Sequence, residues 1–250
     1  MATPDVDNVR LTESRFRRHL HLASLPALTV DMQKTRSEIV FERWLDANRL
    51  PWHRIQTGPG KTPDYAVMVA PGAEIIFEVK QIQTNRRWKD DIVHGGEVAA
   101  HIRSRINSSK SQIQSTAKLG KPTVLVVFNA YDPLQLSGTE DHDFMDAMYG
   151  AYTVQIDIES RMIVERFRGQ GKSFQANKNT SFSAIARLKD ESAPVRLKEE
   201  SGPDSVTLFE NIHAAMPIDY SALPPCFEVV RFDAPSGANC SSDEDRASAL

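Results

Sequence analysis

Four residues in the first third of the chain have the side-chain types that metal-assisted hydrolysis requires. They are two carboxylates, Asp64 and Glu78, the amine of Lys80, and a third carboxylate upstream, Glu38. Two carboxylates that meet in a small space repel each other unless a proton or a cation lies between them, and Mg²⁺ prefers such oxygen ligands. A bound metal activates water, and a nearby ammonium stabilises charge on a phosphate oxygen. The residue types therefore predict a hydrolytic site that uses Mg²⁺ or Mn²⁺.

The elements around these residues are predicted to bring them together. Residues 65–70 and 74–80 are apolar runs joined by a Pro-Gly turn, a pattern typical of a β-hairpin. Because residues two apart in a strand share a face, Glu78 and Lys80 should project side by side, with the residues between them in the opposite layer. The turn folds the chain back, so Asp64 is predicted at the same end of the hairpin as Glu78.

A helix over residues 31–50 is predicted to carry Glu38. At about 100° per residue, Glu38 lies beside the apolar arc of this helix, whereas Glu42 lies about 40° further round toward solvent. Glu38 is therefore the better inward-facing candidate. Thr35 stands three residues before Glu38, which is the spacing of a capping box, so a structural function at the helix start stays open.

The rest of the chain is predicted to supply a sheet and its covering helices. Residues 81–96 indicate an exposed loop, and residues 97–119 a helix in which a break near 107–109 stays open. Residues 123–128 are an unbroken apolar run, typical of a strand buried on both faces in the middle of a sheet. Further strands are predicted at 52–56, 152–158, 162–167, 182–188 and 206–209.

This arrangement resembles the PD-(D/E)XK nuclease superfamily. Pro63-Asp64-Tyr65 is similar to its first strand motif, Phe77-Glu78-Val79-Lys80 to its ExK motif, and residues 37–45 to its leading acidic helix. The resemblance, over roughly residues 31–130, implies an α/β restriction-endonuclease-like fold: a mixed central sheet flanked by helices, here with extra C-terminal strands. It implies phosphodiester hydrolysis, and an approach of residues around 110–114 to the active site.

The resemblance implies a function for each residue of the site. Asp64 and Glu78 are predicted metal ligands, Lys80 orients water or stabilises charge, and Glu38 completes the metal or water network. The carbonyl of Val79 is a further candidate metal ligand. The leading interpretation is a Mg²⁺-dependent DNA endonuclease. A non-catalytic nucleic-acid-binding or protein-interaction module of the same fold, and an RNA-directed nuclease, stay open as alternatives.

The distribution of charge bears on a nucleic-acid partner, and no membrane partner is expected. The net charge of -3 argues against a uniformly basic surface. Residues 80–121, however, carry nine lysines and arginines against three acids. We expect substrate phosphates to be contacted by Lys61, Arg86, Arg87 and Lys110, although an ordinary solvated surface stays open. The oligomeric state is not determined by the sequence, and a homodimer stays open.

One domain with two flanking segments is predicted from length and composition. Residues 31–234 form the nuclease-like domain, residues 1–30 an N-terminal arm or helix, and residues 235–250 a disordered acidic tail. No apolar run approaches the roughly 20 residues that span a bilayer, and the N-terminus lacks the regions of a secretory signal, so a cytoplasmic location is predicted. Two cysteines without CxxC spacing suggest neither a disulfide framework nor structural zinc.

Two other segments contain residues of functional interest. Residues 169–173, Gly-Gln-Gly-Lys-Ser, are similar to a phosphate loop, but Arg166 stands where that motif requires its first glycine, so a loop at the end of a hairpin is predicted. His142 is predicted to lie in a hydrophilic acidic loop.

Overall fold

The computed structural model describes residues 34–56, 62–83, 99–132, 138–190 and 204–232. These residues contain three α-helices, nine strands and one short 3-10 helix at Tyr220–Ala222. All of these belong to one unit, Lys34–Leu250. The elements in chain order are α1 Arg36–Ala47, β1 Trp52–Arg54, β2 Tyr65–Ala70, β3 Ala73–Ile82, α2 Ala100–Ala117, β4 Thr123–Asn129, α3 Asp141–Tyr149, β5 Tyr152–Ile156, β6 Ile163–Arg168, β7 Ala184–Lys189, β8 Ser205–Glu210 and β9 Phe227–Val230. The predicted N-terminal arm and acidic tail lie outside these ranges.

Seven strands form one mixed sheet in the order β1-β2-β3-β4-β7-β8-β9. The pairs β3–β4, β4–β7 and β8–β9 are parallel, and the other neighbours are antiparallel. β4 is the middle strand, and all seven of its residues are buried. The predictions of an α/β fold with a mixed central sheet, of β4 as its central strand and of further C-terminal strands are therefore confirmed.

The two longer helices cover opposite faces of this sheet. On one face, α1 packs against Phe77 and Val79 of β3. On the other, residues of α2 such as Ile102 pack with Leu125 of β4. The alternation along β3 therefore leaves Glu78, and the residue two positions after it, on the α2 side. This confirms the prediction that the residues flanking Glu78 point into the opposite layer.

The β2–β3 hairpin has the predicted position but a longer second strand. Its turn contains Gly72 at φ 77°, a left-handed conformation that glycine adopts without strain. β3 continues to Ile82 because its last residues pair in parallel with β4, ending at Ile82 opposite Asn129. The sequence pattern of the hairpin carries no information about pairing with β4, so it did not predict this extension.

One prediction about the rest of the fold is wrong, one open alternative is decided, and one strand is new. His142 lies in α3 rather than in an acidic loop, because acidic residues favour a helix N-terminus and apolar residues at 144, 147 and 148 follow at helical spacing. α2 is unbroken through 107–109. β9, which the sequence did not predict, adds to the sheet edge beside β8. The predicted hairpin of β5 and β6 is confirmed, and it forms a separate two-stranded sheet.

Candidate active site

Asp64 and Glu78 meet at the open end of the β2–β3 hairpin. Tyr65 pairs with Phe77, and the backbone N–H of Asp64 donates to the Phe77 carbonyl over 3.2 Å, so Asp64 lies next to the β3 segment that contains Glu78. The Val79 backbone N–H donates to Asp64 Oδ2 over 2.8 Å. The backbone of β3 thus holds the Asp64 carboxylate beside Glu78, and the predicted convergence of the two carboxylates is confirmed.

Glu78 is a fully buried carboxylate. Its side chain is 0% exposed, and Lys80 Nζ forms an ion pair with its Oε1. Neither carboxylate oxygen has a well-aligned hydrogen bond to a described residue. Burial and the negative charge of Asp64 raise the pKa of Glu78 to about 7, although the Lys80 ammonium and the Gln112 amide act in the opposite direction. A cation beside Glu78 would relieve both burial and repulsion.

Asp64 shares this electrostatic environment. Burial is the main reason why the pKa of Asp64 is raised, while the Val79 N–H and the Lys80 ammonium lower it. The charge of Glu38 raises the pKa further, so Glu38 lies within electrostatic range of Asp64. Two carboxylates with raised pKa values and one ammonium form a compact, strongly coupled cluster.

Glu38 lies at the edge of this cluster with both carboxylate oxygens already bonded. Oε2 accepts from the Thr35 backbone N–H at 2.7 Å and from Thr35 Oγ1 at 2.8 Å, which forms a capping box, and Oε1 accepts from Arg54 Nη2 at 2.7 Å. Burial opposes ionisation, but these bonds outweigh it, and the pKa of Glu38 is lowered. The helix-capping function that the sequence left open for Glu38 is therefore present. The participation of Glu38 in a metal network stays a prediction.

Glu42 does not face solvent as expected. It is buried at 9% exposure, whereas Glu38 is half-buried. The Glu42 carboxylate accepts from Lys34 Nζ at 2.5 Å, from Arg54 Nε at 2.8 Å and from the Tyr65 hydroxyl at 3.0 Å. Helix geometry alone could not anticipate this coverage, because Arg54 and Tyr65 belong to β1 and β2.

A Glu38→Gln substitution separates the two functions of Glu38. Glutamine also serves at this capping-box position, so we expect the stability to fall by no more than about 1 kcal/mol, while the anionic ligand is lost. If Glu38 contributes to the reaction, cleavage should decrease at least tenfold in a protein that remains folded. Urea unfolding measures the stability, and cleavage assays measure the rate. An unchanged cleavage rate would show that Glu38 only caps the helix.

α2 adds polar residues that the sequence pattern did not single out. Gln112 Nε2 donates to the Thr62 carbonyl over 3.4 Å, and its amide also acts on Glu78. Arg105 and Ser109 lie four residues apart on neighbouring positions of the same helix, and their Nε and Oγ atoms are buried without a hydrogen bond to a described residue. The expected approach of residues 110–114 is thus met by Gln112.

The predicted nucleic-acid contacts are only partly within the described residues. Lys110 is exposed on α2. Lys61, Arg86 and Arg87 lie outside the described ranges. The Val79 N–H is engaged by Asp64, and the function of its carbonyl as a metal ligand stays a prediction.

Comparison with known proteins gives no match. No family model matches the sequence, and neither a curated protein nor a solved structure matches the chain. No helix among the described residues is long and apolar enough to cross a membrane, and a cytoplasmic location stays a prediction.

A second group of candidate metal ligands occurs at the start of α3. Glu140, His142 and Asp143 place one ligand atom each within 4.8 Å of one another. Glu140 and His142 are exposed, and Asp143 Oδ2 accepts from the Glu140 backbone N–H at 3.0 Å. Because helix capping already explains the position of Asp143, this group is a weaker metal site than Asp64 with Glu78.

Proposed function

We propose that this chain is a metal-dependent nuclease, most simply a DNA endonuclease, whose reaction takes place at Asp64, Glu78 and Lys80. The observation that carries the proposal is Glu78: a fully buried carboxylate opposite a second carboxylate, with no well-aligned hydrogen bond to either oxygen among the described residues. Within the described part of the chain, the Lys80 ammonium is the one ion-pair partner of Glu78, and it faces two carboxylates. A divalent cation would compensate the charge that the single ammonium leaves. The resemblance to the PD-(D/E)XK superfamily supports the same proposal.

The donor set fits a hard divalent cation. Asp64 and Glu78 supply carboxylate oxygens, and Mg²⁺ is commonly held by one or two carboxylates while water and phosphate oxygens occupy its other positions. When bound, such a cation would polarise a phosphodiester and lower the pKa of a water ligand. The carbonyl of Val79 and the carboxylate of Glu38 remain candidate additional ligands.

The protein groups have distinct tasks around that cation. The Val79 N–H fixes the orientation of Asp64 over 2.8 Å, so the ligand is positioned before the metal arrives. The Lys80 ammonium forms an ion pair with the buried Glu78, and its side chain is 27% exposed, so solvent and substrate can reach part of it. The ammonium can orient water or stabilise the charge that develops on a phosphate oxygen.

The test is a cleavage assay on single- and double-stranded DNA and RNA, with Mg²⁺, with Mn²⁺ and with a chelator. We expect wild type to open closed circular DNA only when metal is present, and Asp64→Asn to lose at least 100-fold in rate, on the order of losing one major transition-state contact. Glu159→Gln, a charge loss in the turn between β5 and β6, is the matched control.

The outcomes separate the candidate functions. Cleavage of RNA alone would favour the RNA-directed nuclease. Binding of nucleic acid without cleavage under any metal condition would favour the non-catalytic module. Calorimetry provides a second readout: Mg²⁺ or Mn²⁺ should bind wild type and raise its melting temperature, as a ligand selective for the folded state does. If wild type and Asp64→Asn bound metal equally, the shared site would be refuted.

A further inference from the structure

A cleft of about 750 Å³ lies between the first half of α2 and the segment that follows β6. The α2 wall is formed by residues three or four positions apart, which share one face of the helix: Ala100, Arg103, Ser104 and Asn107. The facing wall is formed by residues 169–173, Gln175 and Lys178. None of these residues belongs to the cluster around Glu78, so this is a separate cleft.

The side chains that line the cleft make it cationic. Arg103, Lys172 and Lys178 contribute positive charge, and the described lining contains no aspartate or glutamate. Lys178 Nζ donates to the Lys172 carbonyl at 3.0 Å, and neither lysine forms an ion pair with a described residue. A concave surface with one sign of charge concentrates ligands of the opposite sign. The cleft therefore favours an anion.

The backbone adds uncommitted donors to this charge. In the described structure, the N–H groups of Gln170, Gly171 and Lys172 donate no hydrogen bond. The carbonyls of Gln170 and Lys172 are already used, by the Ala151 N–H at 3.0 Å and by a lysine ammonium. Gly171 has φ 83°, a left-handed residue within this run. Consecutive free N–H groups around a left-handed residue are typical of backbone anion sites.

Close packing holds this segment in place. A Cβ at Gly150 would lie 2.7 Å from the Gly169 carbonyl oxygen and 2.9 Å from that of Gln170. The Ser173 N–H also donates to the Ala147 carbonyl at the end of α3, over 3.2 Å. The donors are thus arranged before a ligand arrives, which reduces the entropic cost of binding.

We propose that this cleft binds a phosphate group and, resting on the proposed function, that this phosphate belongs to the backbone of the nucleic acid being cleaved. α2 connects the two sites: Arg103 precedes Gln112, the residue that acts on Glu78, by nine positions, or about 13 Å along the helix axis. At about 3.4 Å per nucleotide of duplex, the bound phosphate lies several nucleotides from the cleaved bond. The cleft thus positions substrate and does not perform chemistry.

The test compares the full-length wild type with Lys172→Gln/Lys178→Gln in binding labelled DNA and RNA, with Ca²⁺ to suppress cleavage. We expect affinity to fall about tenfold, and the slope of log affinity against log salt to decrease by about one, as for one lost phosphate contact. The control is Lys118→Gln/Lys189→Gln, which removes the same charge elsewhere and should match wild type. Ser104→Glu, on the opposite wall, should weaken binding without removing a cation.

The possible outcomes distinguish this cleft from the catalytic proposal. We expect the Lys172→Gln/Lys178→Gln variant to keep the wild-type metal response and the wild-type rate at saturating substrate, with only KM raised. If wild type binds nucleic acid through the cleft but never cleaves it, the nuclease proposal fails and the cleft stands. Wild-type affinity and slope in the variant would overturn the cleft proposal. If inorganic phosphate nevertheless bound wild type but not the variant in calorimetry, the cleft would be a site for a free phosphate ligand, and its assignment to nucleic acid would be wrong.

Discussion

Replacing Lys80 by alanine should reduce kcat/KM for nucleic-acid cleavage by about 100- to 1,000-fold while leaving the protein folded. The reason is that an ammonium aimed at developing charge acts on the transition state, and removal of one such donor typically has an effect of this size. The Lys80 side chain is 27% exposed, and the pKa of its partner Glu78 is already raised to about 7, so Glu78 can take up a proton when the ammonium is lost. Single-turnover cleavage at saturating metal measures the effect on the chemical step.

Two comparisons make the Lys80 result interpretable. Lys80→Met keeps most of the aliphatic stem and should be as inactive as Lys80→Ala, since the charge is what matters. Lys118→Ala, an exposed lysine beyond the end of α2, should cleave at the wild-type rate. If Lys80→Ala stayed within about threefold of wild type with an intact fold, Lys80 would have no part in the reaction.

Replacing Glu78 by glutamine should make the metal-free protein more stable at neutral and alkaline pH. Burial and the neighbouring Asp64 raise the pKa of Glu78 to about 7 from an ordinary value of 4.5. Because the folded state holds its proton more tightly than the unfolded state, wild-type stability decreases as pH rises from about 4.5 through 7. Glutamine stays neutral and avoids this loss, which is on the order of 1–3 kcal/mol.

The measurement is chelator-treated urea unfolding of wild type and Glu78→Gln from pH 4 to 9. The stability difference should be small near pH 4, grow between pH 4.5 and 7, and level off above that. The same variant should lose the metal-induced rise in melting temperature. A constant difference across the whole range would show that the Glu78 carboxylate does not carry the raised pKa.

Local sequence patterns correctly predicted the elements that position Asp64 and Glu78. The Pro-Gly turn and two apolar runs determine the β2–β3 hairpin, and alternation assigns Glu78 to the α2 face, because both effects depend on nearby residues only. The unbroken apolar run of β4 likewise reflects burial on both faces. These features specify most of the site without any long-range information.

The errors occur where distant parts of the chain meet. Glu42 is buried because Arg54 and the Tyr65 hydroxyl cover it, and these partners are 12 and 23 residues away. Similarly, the basic cleft needs α2 and residues 169–173 to face each other across a large sequence separation. Residues 169–173 lack the first glycine of a phosphate loop, because Arg166 occupies its position. Those of their N–H groups that donate no hydrogen bond to a described residue are visible only in the three-dimensional structure.

The turn at Gly72 has a consequence for how the chain can vary. Strand side chains alternate with a period of two, so inserting or deleting one turn residue would shift the β2–β3 pairing and move Asp64 to the α1 side of the sheet. Nothing lies within 4 Å of a Cβ built at Gly72, and the turn is about 20 Å along the strand from Asp64. Its length, rather than its contacts, nevertheless keeps the carboxylates paired. Natural variants should therefore keep the number of residues at this remote tip, and at position 72 they should keep a residue that adopts a left-handed conformation.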